Sequence, residues 1–159
     1  MGLGVDLHPW DSAPGRPLLL GGVRFDEPLG LAGHSDGDVG CHALADALLG
    51  AAGLGDLGQH FPDTDPALEG IGGIELLSRT VALLRDAGFT PAQCDLTVLA
   101  ERPAVAPRRD EIRERLASAL GIDRGRVSVK ATRPEGLGMS GDGVGCFAVA
   151  VIVPAGAPA

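Results

Sequence analysis

The sequence predicts an α+β fold: a single mixed β-sheet with helices packed on one face, in one domain spanning residues 1–153. Three observations predict it. Apolar residues alternate with period two near the start and run almost unbroken near the end. Three segments between these ends carry apolar residues at helical spacing. The order of these signals is ββ, α, α, β, α, β, β, which suits helices layered on one sheet. A length of 159 residues leaves little room for a second domain.

Leu3, Val5 and Leu7 alternate with Gly4, Asp6 and His8, so the first strand has one apolar face. Pro17 to Phe25 reads as a second extended stretch, and Gly21-Gly22 inside it signals a bulge or hairpin bend. Ser35 can cap a first helix, with Asp36 and Asp38 in its opening turn and Gly53 as its stop. Residues 53 to 70 lack period and contain Gly55, Gly58, Pro62 and Pro66, so they read as a long loop. Ile71, Ile74, Leu77, Val81 and Leu84 mark a second helix ending at Gly88. Strands follow at Cys94–Ala100 and Val127–Thr132, with a helix between them carrying Ile112, Leu116 and Leu120 up to Gly121. Gly145 to Val153 is almost wholly apolar, as expected of a strand buried on both faces. Residues 154–159, rich in Pro, Ala and Gly, read as a disordered tail.

Composition excludes several classes of function. Aromatic residues are 3% of the chain and Tyr is absent, so a base-stacking surface has little to build with. The net charge of −8 argues against nucleic acid and against anionic membranes. No segment is long and apolar enough to span a bilayer, and the start of the sequence lacks the pattern of a signal peptide. Met1-Gly2 suggests myristoylation only superficially, because residue 6 is Asp. Cys41, Cys94 and Cys146 are odd in number and widely spaced, which reads as buried reduced thiols in a cytoplasmic protein. Residues 1–78 hold 2 Arg against 12 acids, whereas residues 79–159 hold 11 basic residues against 9 acids. The acidic half also holds all four His, so a metal is expected there.

Asp6 and His8 share one strand face. Asp38, His42 and Asp46 are spaced four apart, a step of about 40° on a helix, and form one polar stripe. Two His and a carboxylate make a donor set known for zinc with an open fourth position. Spacing alone leaves a structural role open for each. His34 sits beside a helix start, where anions bind. Asp56, Asp63 and Asp65 lie in the long loop, as turn formers or as ligand contacts. Thr132, Arg133 and Glu135 close a strand, where they suit phosphate oxygens and an oxygen-loving cation such as Mg²⁺.

These segments, in order, carry a family resemblance. They are Gly4-Val5-Asp6-Leu7-His8, His34-Ser35-Asp36-Gly37-Asp38-Val39, His42-Ala43-Leu44 with Asp46 to Ala52, Gly53-Leu54-Gly55-Asp56, Phe61-Pro62-Asp63-Thr64-Asp65, and Val127 to Thr132. The chain resembles the 2-C-methyl-D-erythritol 2,4-cyclodiphosphate synthases of the non-mevalonate isoprenoid pathway. The resemblance implies a homotrimer with active sites at the subunit interfaces. It implies one divalent ion, usually zinc, on Asp6, His8 and His42, and a second, Mg²⁺ or Mn²⁺, held with help from Glu135 between the substrate phosphates. It further implies that His34 and Arg133 act in catalysis, and that they contact the phosphates and polyol together with Ser35 and Thr132. Asp56 and Gly58 are then expected to meet the ribose and Asp63 to lie along the methylerythritol end, with Leu57, Phe61, Pro62, Thr64 and Asp65 also among the substrate-binding residues. Ala100, Glu101, Arg102, Pro103, Ala104, Val105 and Ala106 are expected to cradle the cytosine of the neighbouring site, with Pro134, Met139 and Asp142 completing the substrate-binding set.

The implied reaction is intramolecular cyclisation of 4-diphosphocytidyl-2-C-methyl-D-erythritol 2-phosphate, releasing CMP. Some positions depart from the family pattern. A Lys is common at Ala104, a second Thr at Arg133, an aromatic at Met139, an Arg at Asp142 and a Glu at Val144. The last two departures remove an opposite-charge pair expected near the trimer axis and argue against an isoprenoid diphosphate in a central cavity. The sequence leaves two alternatives standing: a metal-dependent phosphohydrolase or paralogue acting on another nucleotide diphosphate, and a non-catalytic trimeric binding protein.

Overall fold

The computed structural model describes residues 1–137 and 141–157. Its main sheet has four strands in the order β1-β6-β4-β5: β1 (Gly2–Pro9), β4 (Phe89–Leu99), β5 (Val127–Thr132) and β6 (Gly143–Pro154). Strand β6 is antiparallel to both neighbours, whereas β4 and β5 run parallel, so the sheet is mixed. Helices α1 (Val39–Ala52), α3 (Gly73–Asp86) and α4 (Arg109–Leu120) supply the buried apolar side chains that meet it. Strands β2 (Leu18–Leu20) and β3 (Val23–Phe25) form a separate two-stranded sheet, so the expected single sheet is in fact two. Gly21 and Gly22 make that turn with φ of 57° and 76°, a pair of positive values that favours glycine.

Helix α1 begins later than the Ser35 cap predicts. Asp38 is its N-cap, accepting from the amides of Gly40 and Cys41. The same carboxylate accepts from Gly21 and Gly22 at 2.7 and 2.6 Å, which docks the hairpin turn on the helix start. Asp38 is fully buried, and these amides replace its lost water. Of the stripe, Asp38 and His42 are buried and Asp46 is half-buried.

The orientation of β1 reverses the simple reading of its alternation. Gly2, Gly4, Asp6 and His8 share one strand face, and helix α1 lies on the glycines of that face. Leu3 is 62% exposed on the opposite side, with Val5 and Leu7 also exposed. A Cβ at Gly4 would collide with the Ala43 carbonyl, and one at Gly2 with that of Ala47. The helix rests on bare strand backbone. Strand β6 likewise buries Val144, Cys146, Ala148 and Ala150 but leaves Phe147 exposed, so this chain covers only one of its faces.

Strand β4 begins at Phe89, earlier than expected, because a register shift between Pro91 and Gln93 accommodates the proline. The expected loop of residues 53–70 contains a short helix, α2 (Leu57–His60), and a 3₁₀ turn, Pro66–Leu68. Strand β6 extends through Pro154, and the Ala155 amide donates to the Gly88 carbonyl at 2.8 Å. No helix among the described residues is long and apolar enough to cross a membrane.

Substituting Gly4→Ala tests the helix–strand contact. The added methyl forces helix and strand apart, and a loss of about 2 kcal/mol is expected in denaturant unfolding.

Candidate active site

The close approach of α1 brings His42 to Asp6 and His8. Asp6 Oδ2 lies 3.1 Å from His8 Nε2 and 3.1 Å from His42 Nδ1. The far nitrogen of each ring is also held. His8 Nδ1 lies 2.6 Å from the Ala32 carbonyl, an acceptor that assigns it the proton and leaves Nε2 facing Asp6. His42 Nε2 lies 3.1 Å from Ser35 Oγ, which accepts from the Gly37 amide. One ligand atom from each residue falls within 4.8 Å of the others, so the three could hold a metal ion. Two imidazole nitrogens and a carboxylate, each oriented by an outer partner, suit a four-coordinate ion with an open position.

The electrostatics fit that use. Burial pushes the Asp6 carboxyl up, but its hydrogen bonds to His42 and His8 outweigh burial and hold it well below the usual range. The hydrogen bond to Asp6 raises His8 above 6.5, with burial opposing. Asp6 is therefore an anion ready for a cation.

A cavity of about 240 Å³ opens beside the group, lined by His8, His34, Ser35, His42, Leu57, Phe61 and Asp63, with Leu68, Ile71 and Leu76 as its apolar side. Several residues position this lining. Arg16 donates to the Ser35 carbonyl at 2.6 Å and fixes the segment bearing His34. Asp46 accepts from the Leu57 amide at 3.1 Å and ties α2 to α1. Asp56 caps α2 and Asp65 caps the 3₁₀ turn, so both carboxylates hold the backbone locally. Gly58 lies within α2, while Pro62 and Thr64 flank Asp63.

The remaining expected residues gather elsewhere. A groove of about 180 Å³ is lined by Ala100, Pro103, Ala104, Val105, Ala106, Arg109, Ala131, Thr132 and Arg133. It lies at β5, whereas the metal group lies on β1, the opposite edge of the sheet. Three strand spacings separate those edges, about 14 Å. One chain thus places His34 in one recess and Arg133 in another, and the two recesses share no lining residue.

Arg102 is held away from the groove within this chain. Its guanidinium does not line the groove; it stacks over Trp10, 4.5 Å from the ring centroid, and donates to Glu27 at 3.3 Å. It anchors the segment of Ala100–Ala106 to the end of β1. Glu101 accepts from the Gly136 amide at 3.3 Å. Glu135 is exposed at φ 53° and is not part of the metal group. Pro134 is half-buried beside it, and Asp142 is exposed, its carbonyl accepting from the Trp10 amide. Val144 is a core residue, 2% exposed in the single chain. Met139 lies outside the described residues. Sequence reasoning missed Arg109, Arg16 and the apolar wall. Only Arg109 left a signal, a cation at a helix start where anions are favoured.

Residues 1–154 match the YgbB family. The chain belongs to the YgbB family. Among YgbB relatives, the 2-C-methyl-D-erythritol 2,4-cyclodiphosphate synthase of Symbiobacterium thermophilum is 52% identical over 154 residues, covering 96% of this chain and 97% of that protein. The bifunctional enzyme IspD/IspF of Anaeromyxobacter sp. is 52% identical over 155 residues, but this chain spans only 39% of its length. A solved 2C-methyl-D-erythritol-2,4-cyclodiphosphate synthase in a CDP-bound form superposes with a TM-score of 0.87 at 36% identity, over 96% of this chain and 99% of that one.

Three outcomes follow for solution measurements. A proton on His8 competes with a metal ion, and its pKa is raised above 6.5, so affinity for a divalent ion is full at alkaline pH and falls as pH is lowered through that raised value. Calorimetric titration is expected to show roughly tenfold weaker binding per pH unit below it. In metal-free protein the sign differs. The raised His8 stabilises below 6.5 and loses its contribution as pH rises through the folded value. The lowered Asp6 stabilises above 3.8 and loses its contribution only in stronger acid. Trp10 is the sole tryptophan, so Arg102→Ala is expected to shift its fluorescence while costing about 1 kcal/mol or less in stability.

Proposed function

We propose that this protein is a metal-dependent cyclodiphosphate synthase, a phosphorus–oxygen lyase. It converts 4-diphosphocytidyl-2-C-methyl-D-erythritol 2-phosphate to 2-C-methyl-D-erythritol 2,4-cyclodiphosphate and CMP in isoprenoid precursor biosynthesis. The observation that carries this reading is the Asp6, His8 and His42 group at the wall of a cavity, in a chain of the YgbB family.

The reaction moves no atoms from solvent. An oxygen of the 2-phosphate forms a bond to the β-phosphorus, the bond from that phosphorus to the bridging oxygen breaks, and CMP leaves with the electron pair. The protein needs no nucleophile of its own. Its task is to hold two anionic groups together in line. A divalent ion on Asp6, His8 and His42, with a second one beside Glu135, would supply charge neutralisation between the phosphates. The nitrogen-rich donor set suits zinc, and the carboxylate of Glu135 suits Mg²⁺ or Mn²⁺.

The chain's own residues do the rest. His34 and Ser35 present an imidazole and a hydroxyl to the phosphates inside the cavity, and Leu57, Phe61 and Asp63 enclose the polyol. Thr132 and Arg133 bring a hydroxyl and a guanidinium to the phosphates from the other groove, where Pro103 to Ala106 form a wall for cytosine. The two recesses lie on opposite sheet edges of one chain, which supports a homotrimer in which each site takes its metal cavity from one subunit and its nucleotide groove from the next. The exposed row of Leu3, Val5, Leu7 and Phe147 offers apolar area for such contacts. The buried thiols suit a reducing cytoplasm: none is paired, and burial pushes Cys94 up to about 12.

Phosphorus NMR tests the reaction directly. With substrate and Mg²⁺, CMP and the cyclic diphosphate are expected in equal amounts, and His42→Ala is expected to lower the rate by at least about a hundredfold. Release of inorganic phosphate instead of a cyclic product would overturn the synthase reading. Light scattering tests assembly, with an active monomer as the result that would exclude shared sites.

A further inference from the structure

Helix α4 opens unusually, with Arg108 as N-cap and Arg109 as its first residue. The positive end of a helix dipole disfavours cations there by a few tenths of a kcal/mol or more. Asp110 and Glu111 offset this, and both are engaged by other arginines. Arg113 pairs with Asp110 at 2.8 Å and also donates to the Val127 carbonyl. Arg108 pairs with Glu111, lies 5.4 Å from the Phe25 ring centroid and donates to the Arg24 carbonyl. Each of these guanidiniums has structural work. Arg109 has no ion pair and no side-chain hydrogen bond among the described residues.

Arg109 instead lines the groove that contains Pro103, Ala104, Thr132 and Arg133. That lining holds two guanidiniums, a hydroxyl and no carboxylate, in a chain whose net charge is −8. Arg133 likewise has no ion pair and no side-chain hydrogen bond among the described residues. Ala104 adds no charge, so the charged residues of the lining are these two arginines. A planar guanidinium without a protein partner, in a lining that also holds Arg133, matches the oxygens of a phosphate.

We infer that Arg109 is a nucleotide-binding residue, pairing with phosphate oxygens of the cytidine nucleotide opposite Arg133. This rests on the reading of the groove as the nucleotide recess. It accounts for a cation at a position where the helix alone would favour an acid, and it assigns to α4 a direct part in holding CMP.

The test is calorimetric titration of the full chain with CMP, comparing wild type, Arg109→Ala, Arg109→Lys and Arg133→Ala, together with thermal melts. Arg109→Ala is expected to weaken CMP binding about tenfold and to flatten its salt dependence. Arg109→Lys is expected to recover part of the loss, as a charge without the bidentate fork. The thermal midpoint of Arg109→Ala is expected to stay level or rise, because a cation leaves the helix start. CMP affinity within twofold of wild type, while Arg133→Ala is weakened, overturns the inference and leaves the synthase reading intact. A loss of affinity that tracks a fall in melting temperature also overturns it. Absence of CMP binding by the wild type overturns both.

Discussion

The architecture depends on a helix lying directly on strand backbone. Gly2 and Gly4 leave no side chain between β1 and α1, and the Ala43 and Ala47 carbonyls occupy the space that Cβ atoms would take. At that separation a histidine on the helix can meet an aspartate and a histidine on the strand. Any larger residue at Gly4 separates the two elements and with them the metal group. Asp38 fixes the other coordinate. By capping α1 and binding the Gly21-Gly22 turn, it sets where along the strand the helix begins.

Charge is distributed on the same plan. The acidic half of the chain, residues 1–78, builds the metal cavity, whose key anion is held ionised by two imidazoles. The other half builds a groove with two guanidiniums in its lining. A substrate with a nucleotide at one end and phosphates in the middle would meet an arginine-lined recess at one end and a metal-ready recess at the other.

Much of this was legible in the residues. The helix over Arg109–Leu120 and the strand over Val127–Thr132 follow from apolar spacing and the glycine stops. Asp6, His8 and His42 stood out because metal-competent side chains shared faces. What periodicity could not give was which face turns inward. On β1 the apolar residues are the exposed ones, since alternation defines two faces but not their partners. The four-residue α2 is too short to show a period. Arg102 illustrates a different limit: a segment's place in the chain locates its backbone, but the side chain answered to Trp10 and Glu27, which are distant in sequence. Arg16 acts through a backbone carbonyl, a role that leaves no residue pattern, and the spacing that marked Asp46 did not show that it holds the Leu57 amide.

The division of lining residues between two unconnected recesses also has a genetic meaning. In an assembly whose sites are built jointly, a lesion in the metal cavity and a lesion in the nucleotide groove spoil different contributions. Two such alleles expressed together would form mixed particles in which some sites draw both contributions from undamaged surfaces. Intragenic complementation would then be expected of such an assembly, and it would fail for two alleles damaged in the same recess.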